Sequence, residues 1–210
     1  MVRFLIFGDS ITYGAWDLEG GWVQRLRNFL DKKTLADEGY YLVYNLGISG
    51  DTSKDLLERF DFETKQRLKE GDETIFLFEI GVNDCGFLIS KNNSELSEKE
   101  FEHNLKELIS KAQKISSKIV FVGIAPFDES RVSPVPWHKD LVYKNVLAKR
   151  FNRIIEKTCQ ENNLLFIDIF NKITQKDCKN FEDGAHPDSS GHEKIFEIIK
   201  KSLIKERVIS

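Results

Sequence analysis

Four short segments of this sequence carry residue types that could perform covalent chemistry. In Gly8-Asp9-Ser10-Ile11 an apolar run stops at a glycine, and a hydroxyl follows two positions later, where the chain must turn out of a sheet. A serine at such a strand-to-helix turn projects beyond the sheet edge, and the N–H groups of the new helix start can face a developing oxyanion. Asp183 and His186 are spaced i, i+3, which lets a carboxylate accept from one imidazole nitrogen while the other faces outward as a base. Pro187 keeps that turn from relaxing into helix around the histidine. Asn83, in Gly81-Val82-Asn83-Asp84, offers a neutral N–H donor, and Gly50, in Ser49-Gly50-Asp51-Thr52, offers a backbone amide with no Cβ beside it. Each segment also has a plainer reading. Gly-Asp-Ser and Asn-Asp are common turn compositions, Gly50 could only supply a positive φ, and Asp183 with His186 could be a surface pair or two ligands of a metal.

These segments need a scaffold that brings them together. Five apolar, β-branched or aromatic runs, 2–7, 41–45, 74–80, 118–124 and 164–169, alternate with segments of helical period, the pattern of βαβ units on a parallel sheet. Phe101, Leu105, Leu108, Ile109, Ala112 and Ile115 share one helical face, as do Leu147, Phe151, Ile154 and Ile155, and again Ile195, Phe196, Ile199 and Leu203. Right-handed crossovers then require helices on both faces of the sheet, and ligands bind outside the carboxyl ends of the strands. The four segments fall after strands or before the last helix, where that rule wants them.

With 210 residues, no linker of biased composition and no internal repeat, one domain over 1–210 is expected. A net charge of −3 without a cluster of Lys or Arg disfavours nucleic acid as a partner. Met1-Val2-Arg3 leads into an apolar run too short for a signal peptide or a membrane span, so the expectation is a cytoplasmic chain without integral membrane association. Cys85, Cys159 and Cys178 lack paired spacing and read as reduced thiols, and no cluster of His, Cys or carboxylate has metal-ligand spacing. No metal or other cofactor is therefore expected.

Taken jointly, the blocks Gly8-Asp9-Ser10-Ile11, Ser49-Gly50-Asp51-Thr52, Gly81-Val82-Asn83-Asp84 and Asp183-Gly184-Ala185-His186-Pro187 resemble those of the SGNH (GDSL-type) hydrolase family in order and placement, with Ile11 where Leu is usual. The resemblance implies a flavodoxin-like α/β/α sandwich with a five-stranded parallel sheet of order 2-1-3-4-5. It also implies hydrolysis of an acyl ester or thioester, a small molecule, without a metal. Ser10 would be the nucleophile, His186 the general base and then acid, and Asp183 the group that fixes the imidazole tautomer. The oxyanion hole would comprise the Ser10 and Gly50 amides and the Asn83 side chain, with Asp9 anchoring its loop. Carbohydrate deacetylases share these motifs. A ligand-binding scaffold that has lost its chemistry predicts decay at the triad positions, and none is seen, while an anion-binding flavodoxin-like module using 49–53 leaves Asp183 and His186 unexplained.

Selectivity is expected from 125–138, about 14 residues at the same sheet edge, where βα connections usually run to ~2–6. Three of the four prolines stiffen it, Phe127 and Trp137 offer apolar area to a substrate, and His138 follows as a candidate contact. The alternative is that both aromatics pack onto neighbouring helices.

Overall fold

Phe4, Leu5, Ile6 and Phe7 are wholly withdrawn from solvent. A central parallel strand is covered on both faces, so it needs apolar residues at odd and even positions alike. The structure, a computed structural model describing residues 1–209, places this run in β1 (Val2–Gly8). Around it stand β2 (Tyr41–Gly47), β3 (Glu73–Glu79), β6 (Ile119–Val122) and β8 (Leu165–Ile167). All pairings are parallel, in the order β2-β1-β3-β6-β8. Counting these five strands alone, that is the expected 2-1-3-4-5, and the α/β/α sandwich is the observed architecture.

One layer of helices consists of α2 (Gly21–Leu35) packed on α7 (Ser189–Lys205), and the other of α3 (Ser53–Lys65), α4 (Glu98–Gln113) and α5 (Asn145–Glu161). Their starts are written in the sequence. Thr52 with Asp55 and Ser97 with Glu100 form capping boxes on α3 and α4, and Asp188 caps α7 through the Gly191 N–H. Between sheet and helices lie aromatic contacts such as those of Phe60 on α3 with Phe7 at 5.3 Å and with Phe76 at 5.4 Å between ring centroids. Each fully buried Phe contributes about 1.5–3 kcal/mol of hydrophobic stabilisation. Ile115 departs from expectation. Helix α4 ends at Gln113, so Ile115 lies beyond its apolar face and is exposed.

Register positions the site. Gly8 is paired with Gly47 on one side and Glu79 on the other, so three strands end level and deliver residues 9–10, 48–53 and 80–84 to one edge. Three short strands lie outside the main sheet. β4 (Phe87–Leu88), β5 (Asn93–Ser94) and β7 (Leu141–Val142) form a small antiparallel sheet in the order β5-β4-β7, which clasps 85–97 to the end of the long connection after β6. Two one-turn helices, α1 (Ser10–Tyr13) and α6 (Gln175–Cys178), complete the elements. Among the described residues no helix is long and apolar enough to cross a membrane.

Candidate active site

At the end of β1 the chain turns within one residue. A Cβ on Gly8 would stand 2.1 Å from Thr12 Oγ1 and 2.2 Å from the Glu79 carbonyl oxygen, so only glycine permits α1 to fold back so closely. Asp9 is buried and caps α1, its Oδ1 accepting from the Ile11 N–H at 2.9 Å. Burial pushes the Asp9 carboxyl up to about 7, opposed by that backbone bond. Asp9 thus holds the turn, the anchoring place expected of it, and Ser10 begins α1 with its N–H free of any acceptor among the described residues.

The second and third blocks are locked to the first and to each other. Arg59 donates to Asp51 Oδ2 at 2.6 Å and to the Gly8 carbonyl at 3.1 Å. Asp84, buried, receives the Ser53 N–H at 3.0 Å and the Ser53 hydroxyl. Gly50 has φ +89° and nothing within 4 Å of the place a Cβ would occupy, so it is the backbone conformation and not crowding that calls for glycine there. Asn83 donates one amide N–H to the Asp51 carbonyl at 2.8 Å, while its Oδ1 accepts from the Tyr143 hydroxyl at 3.1 Å. With the oxygen pinned and one hydrogen spent, the amide cannot flip, and its second N–H is left for another acceptor. Tyr143 was not singled out by the sequence. An aromatic 60 positions from Asn83 carries no local signal of the contact.

The last block closes the site. His186 Nε2 lies 2.9 Å from Ser10 Oγ, and His186 Nδ1 lies 2.6 Å from Asp183 Oδ2. Asp183 Oδ1 accepts the backbone N–H groups of Ala185 at 3.0 Å and His186 at 2.9 Å. Burial alone would raise this carboxyl, but the bonds from the His186 ring and from both backbone groups bring it down to about 2. A carboxylate so held puts the shared proton on Nδ1 and leaves the Nε2 lone pair facing the serine hydroxyl. Ser10, Gly50, Asn83, Trp137, Tyr143 and His186 line one cavity of about 320 Å³.

The residues expected to contact substrate separate into three cases. Trp137 lines that cavity, its ring 5.5 Å from the imidazole, and is 49% exposed. His138 is exposed and lines an adjoining cavity together with Gly50, Asn83 and Tyr143. Phe127 requires a correction. It is fully buried, stacked on Tyr143 at 4.6 Å, and offers no surface to a ligand. Val132 and Val135 are buried with it, so part of the long connection is core, and the alternative of aromatic packing holds for Phe127 alone. The residue missed at this edge is Trp16, whose indole N–H lies 3.0 Å from both Asp183 Oδ2 and His186 Nδ1. Cys85, Cys159 and Cys178 are buried free thiols, and burial raises all three well above the ordinary thiol value.

A hydroxyl, an imidazole and a carboxylate in hydrogen-bonding sequence, at the carboxyl edge of a doubly wound parallel sheet, form the arrangement that serine hydrolases use. The chain belongs to the GDSL-like lipase/acylhydrolase family, whose model matches residues 6–194. It is 25% identical over 225 aligned residues to a multidomain esterase of Ruminococcus flavefaciens, an alignment covering 92% of this chain and 27% of that protein, so the chain spans about a quarter of the curated relative's length. Among solved structures it is similar to the lipase/acylhydrolase from Enterococcus faecalis, with a TM-score of 0.75 at 21% identity over 98% of this chain and 97% of that one. It is likewise similar to a catalytic mutant of an acetylxylan esterase from Geobacillus stearothermophilus, with a TM-score of 0.75 at 18% identity, covering 96% and 93% of the two chains. At such identities these two likenesses concern the fold.

Proposed function

We propose that this chain hydrolyses a carboxylic ester or thioester through an acyl-enzyme on Ser10. The observation that carries the reading is the hydrogen-bonded sequence Ser10 Oγ, His186, Asp183, at 2.9 and 2.6 Å, opening into a cavity that Asn83 also lines. Ser10 Oγ attacks the carbonyl carbon and His186 Nε2 takes the hydroxyl proton. The carbonyl oxygen becomes an alkoxide facing the Ser10 and Gly50 N–H groups and the second N–H of Asn83. Collapse breaks the bond to the leaving group, which takes the proton from Nε2. Water then attacks the acyl-enzyme, losing a proton to Nε2, and collapse breaks the bond between the acyl carbon and Ser10 Oγ, which takes that proton from Nε2 as the carboxylic acid leaves. Asp183 stays ionised throughout and balances the charge on the imidazolium.

The cavity, at about 320 Å³, stands at the small end of ligand sites and favours a short acyl group. A deacetylase of carbohydrate esters is a second reading within the same chemistry, favoured by that size and by the half-exposed Trp137 beside the imidazole.

A panel of p-nitrophenyl esters of rising chain length tests the proposal, with Trp137→Ala beside the parent. The parent should hydrolyse the acetyl ester, and the variant should alter the ratio of kcat/KM between short and medium chains while leaving acetyl turnover nearly unchanged. The change is bounded by lost apolar contact, on the order of 1–3 kcal/mol. No turnover of any ester by folded parent would overturn the reading, whereas an unaltered chain-length profile would remove Trp137 alone from the acyl site.

Asn83→Ala should lower kcat by about 10²–10³-fold and leave KM little changed, because its free N–H meets charge that exists only in the transition state. A strong rise in KM at constant kcat would instead assign Asn83 to ground-state binding.

A further inference from the structure

The steps above leave one contact of the triad unused, the Trp16 indole N–H at 3.0 Å from both Asp183 Oδ2 and His186 Nδ1. Only one of these atoms can accept it. An oxygen 2.6 Å from Nδ1 requires a proton between the two, and with that proton on Nδ1 the nitrogen has no lone pair to offer. The indole therefore donates to Asp183 Oδ2. The carboxylate then receives four donors: the Ala185 and His186 backbone N–H groups on Oδ1, and the imidazole and indole N–H groups on Oδ2.

The chain goes out of its way to present this side chain. Trp16 has φ +67°, a left-handed conformation that bulky residues seldom adopt, and at 64% exposed it gains little from burial. Its placement comes from its neighbour. Asp17, buried, accepts the N–H groups of Glu19 at 3.1 Å and Gly21 at 3.0 Å and pairs with Arg25. The same guanidinium donates to Ser189 Oγ at 2.8 Å and to Glu193 Oε2 at 2.9 Å, in the helix that follows His186. The turn carrying Trp16 and the segment carrying Asp183 and His186 are thus fixed to one cation.

Resting on the triad reading above, we propose that Trp16 is a positioning residue: its indole N–H fixes the plane of the Asp183 carboxylate, and through it the orientation of the Nδ1-protonated His186. The competing role is that of a cavity wall, since the Trp16 ring also lines the cavity at Ser10.

Two measurements decide between them. In a ¹H–¹⁵N spectrum the Trp16 indole resonance, identified by its loss in Trp16→Phe, should move upfield and exchange faster with solvent in Asp183→Ala. This readout needs no turnover, so it stands whatever becomes of the triad reading, which Ser10→Ala tests in parallel. In kinetics on p-nitrophenyl acetate, Trp16→Phe should lower kcat about tenfold with KM nearly constant, the loss expected for a hydrogen bond to a charged group. Made in the Asp183→Ala background, the same substitution should change kcat by less than about twofold, because its acceptor is gone. An indole resonance indifferent to Asp183→Ala, or the same factor of loss in both backgrounds, would overturn the proposal.

Discussion

Ser10→Ala is expected to reduce ester hydrolysis by on the order of 10⁴-fold or more while the protein stays folded. The hydroxyl supplies the bond to the acyl group, and no other oxygen nucleophile stands against His186 Nε2. The fold should not notice the change. Asp9, not Ser10, caps α1, and Ser10 loses a single oxygen whose partner is the imidazole. Turnover with purified variant and an unchanged melting temperature check both halves. More than a few per cent of parental activity, with contaminating esterase excluded, would refute the assignment.

Asp183→Asn should cost about 10⁴-fold in kcat, more than its near-identical shape suggests. The two backbone N–H groups at 2.9 and 3.0 Å demand an oxygen at the Oδ1 position, so the new amide must turn its NH₂ toward His186 Nδ1. A donor there stabilises the tautomer protonated on Nε2, which cannot accept the Ser10 proton. In the parent, Asp183 lies at about 2 and remains ionised from mildly acidic pH upward. A fall of kcat/KM at mildly acidic pH should therefore not come from protonation of the Asp183 carboxylate. A variant within tenfold of the parent would mean that Asp183 does not set the tautomer.

Much of this architecture could be read from the chain because its signals are local. A central strand such as 4–7 is apolar at every position, amphipathic helices carry a stripe, and capping boxes such as Thr52 with Asp55 mark their own starts. The blocks at Ser10, Gly50, Asn83 and His186 follow strand ends or precede a helix, and parallel topology then gathers them at one edge. What could not be read is pairing between distant positions. Phe127 and Trp137 have equal apolar character in one loop, yet one stacks under Tyr143 and the other faces the cavity. The two-residue strands β4, β5 and β7 are too short to display a period. Trp16 meets its acceptor 167 positions away, and the only hint in the sequence is a large aromatic stranded in the turn Gly14-Ala15-Trp16-Asp17.

The central claim, a covalent acyl-enzyme on Ser10, is tested most directly by trapping the nucleophile. A p-nitrophenyl phosphonate should inactivate the protein with one adduct per chain by intact mass. Digestion with trypsin should place it on the peptide between Arg3 and Arg25, where Ser10 is the sole serine. Ser10→Ala should carry no adduct. Inactivation with the label on any other residue, or hydrolysis that continues at the parental rate in a protein fully labelled at Ser10, would contradict the account.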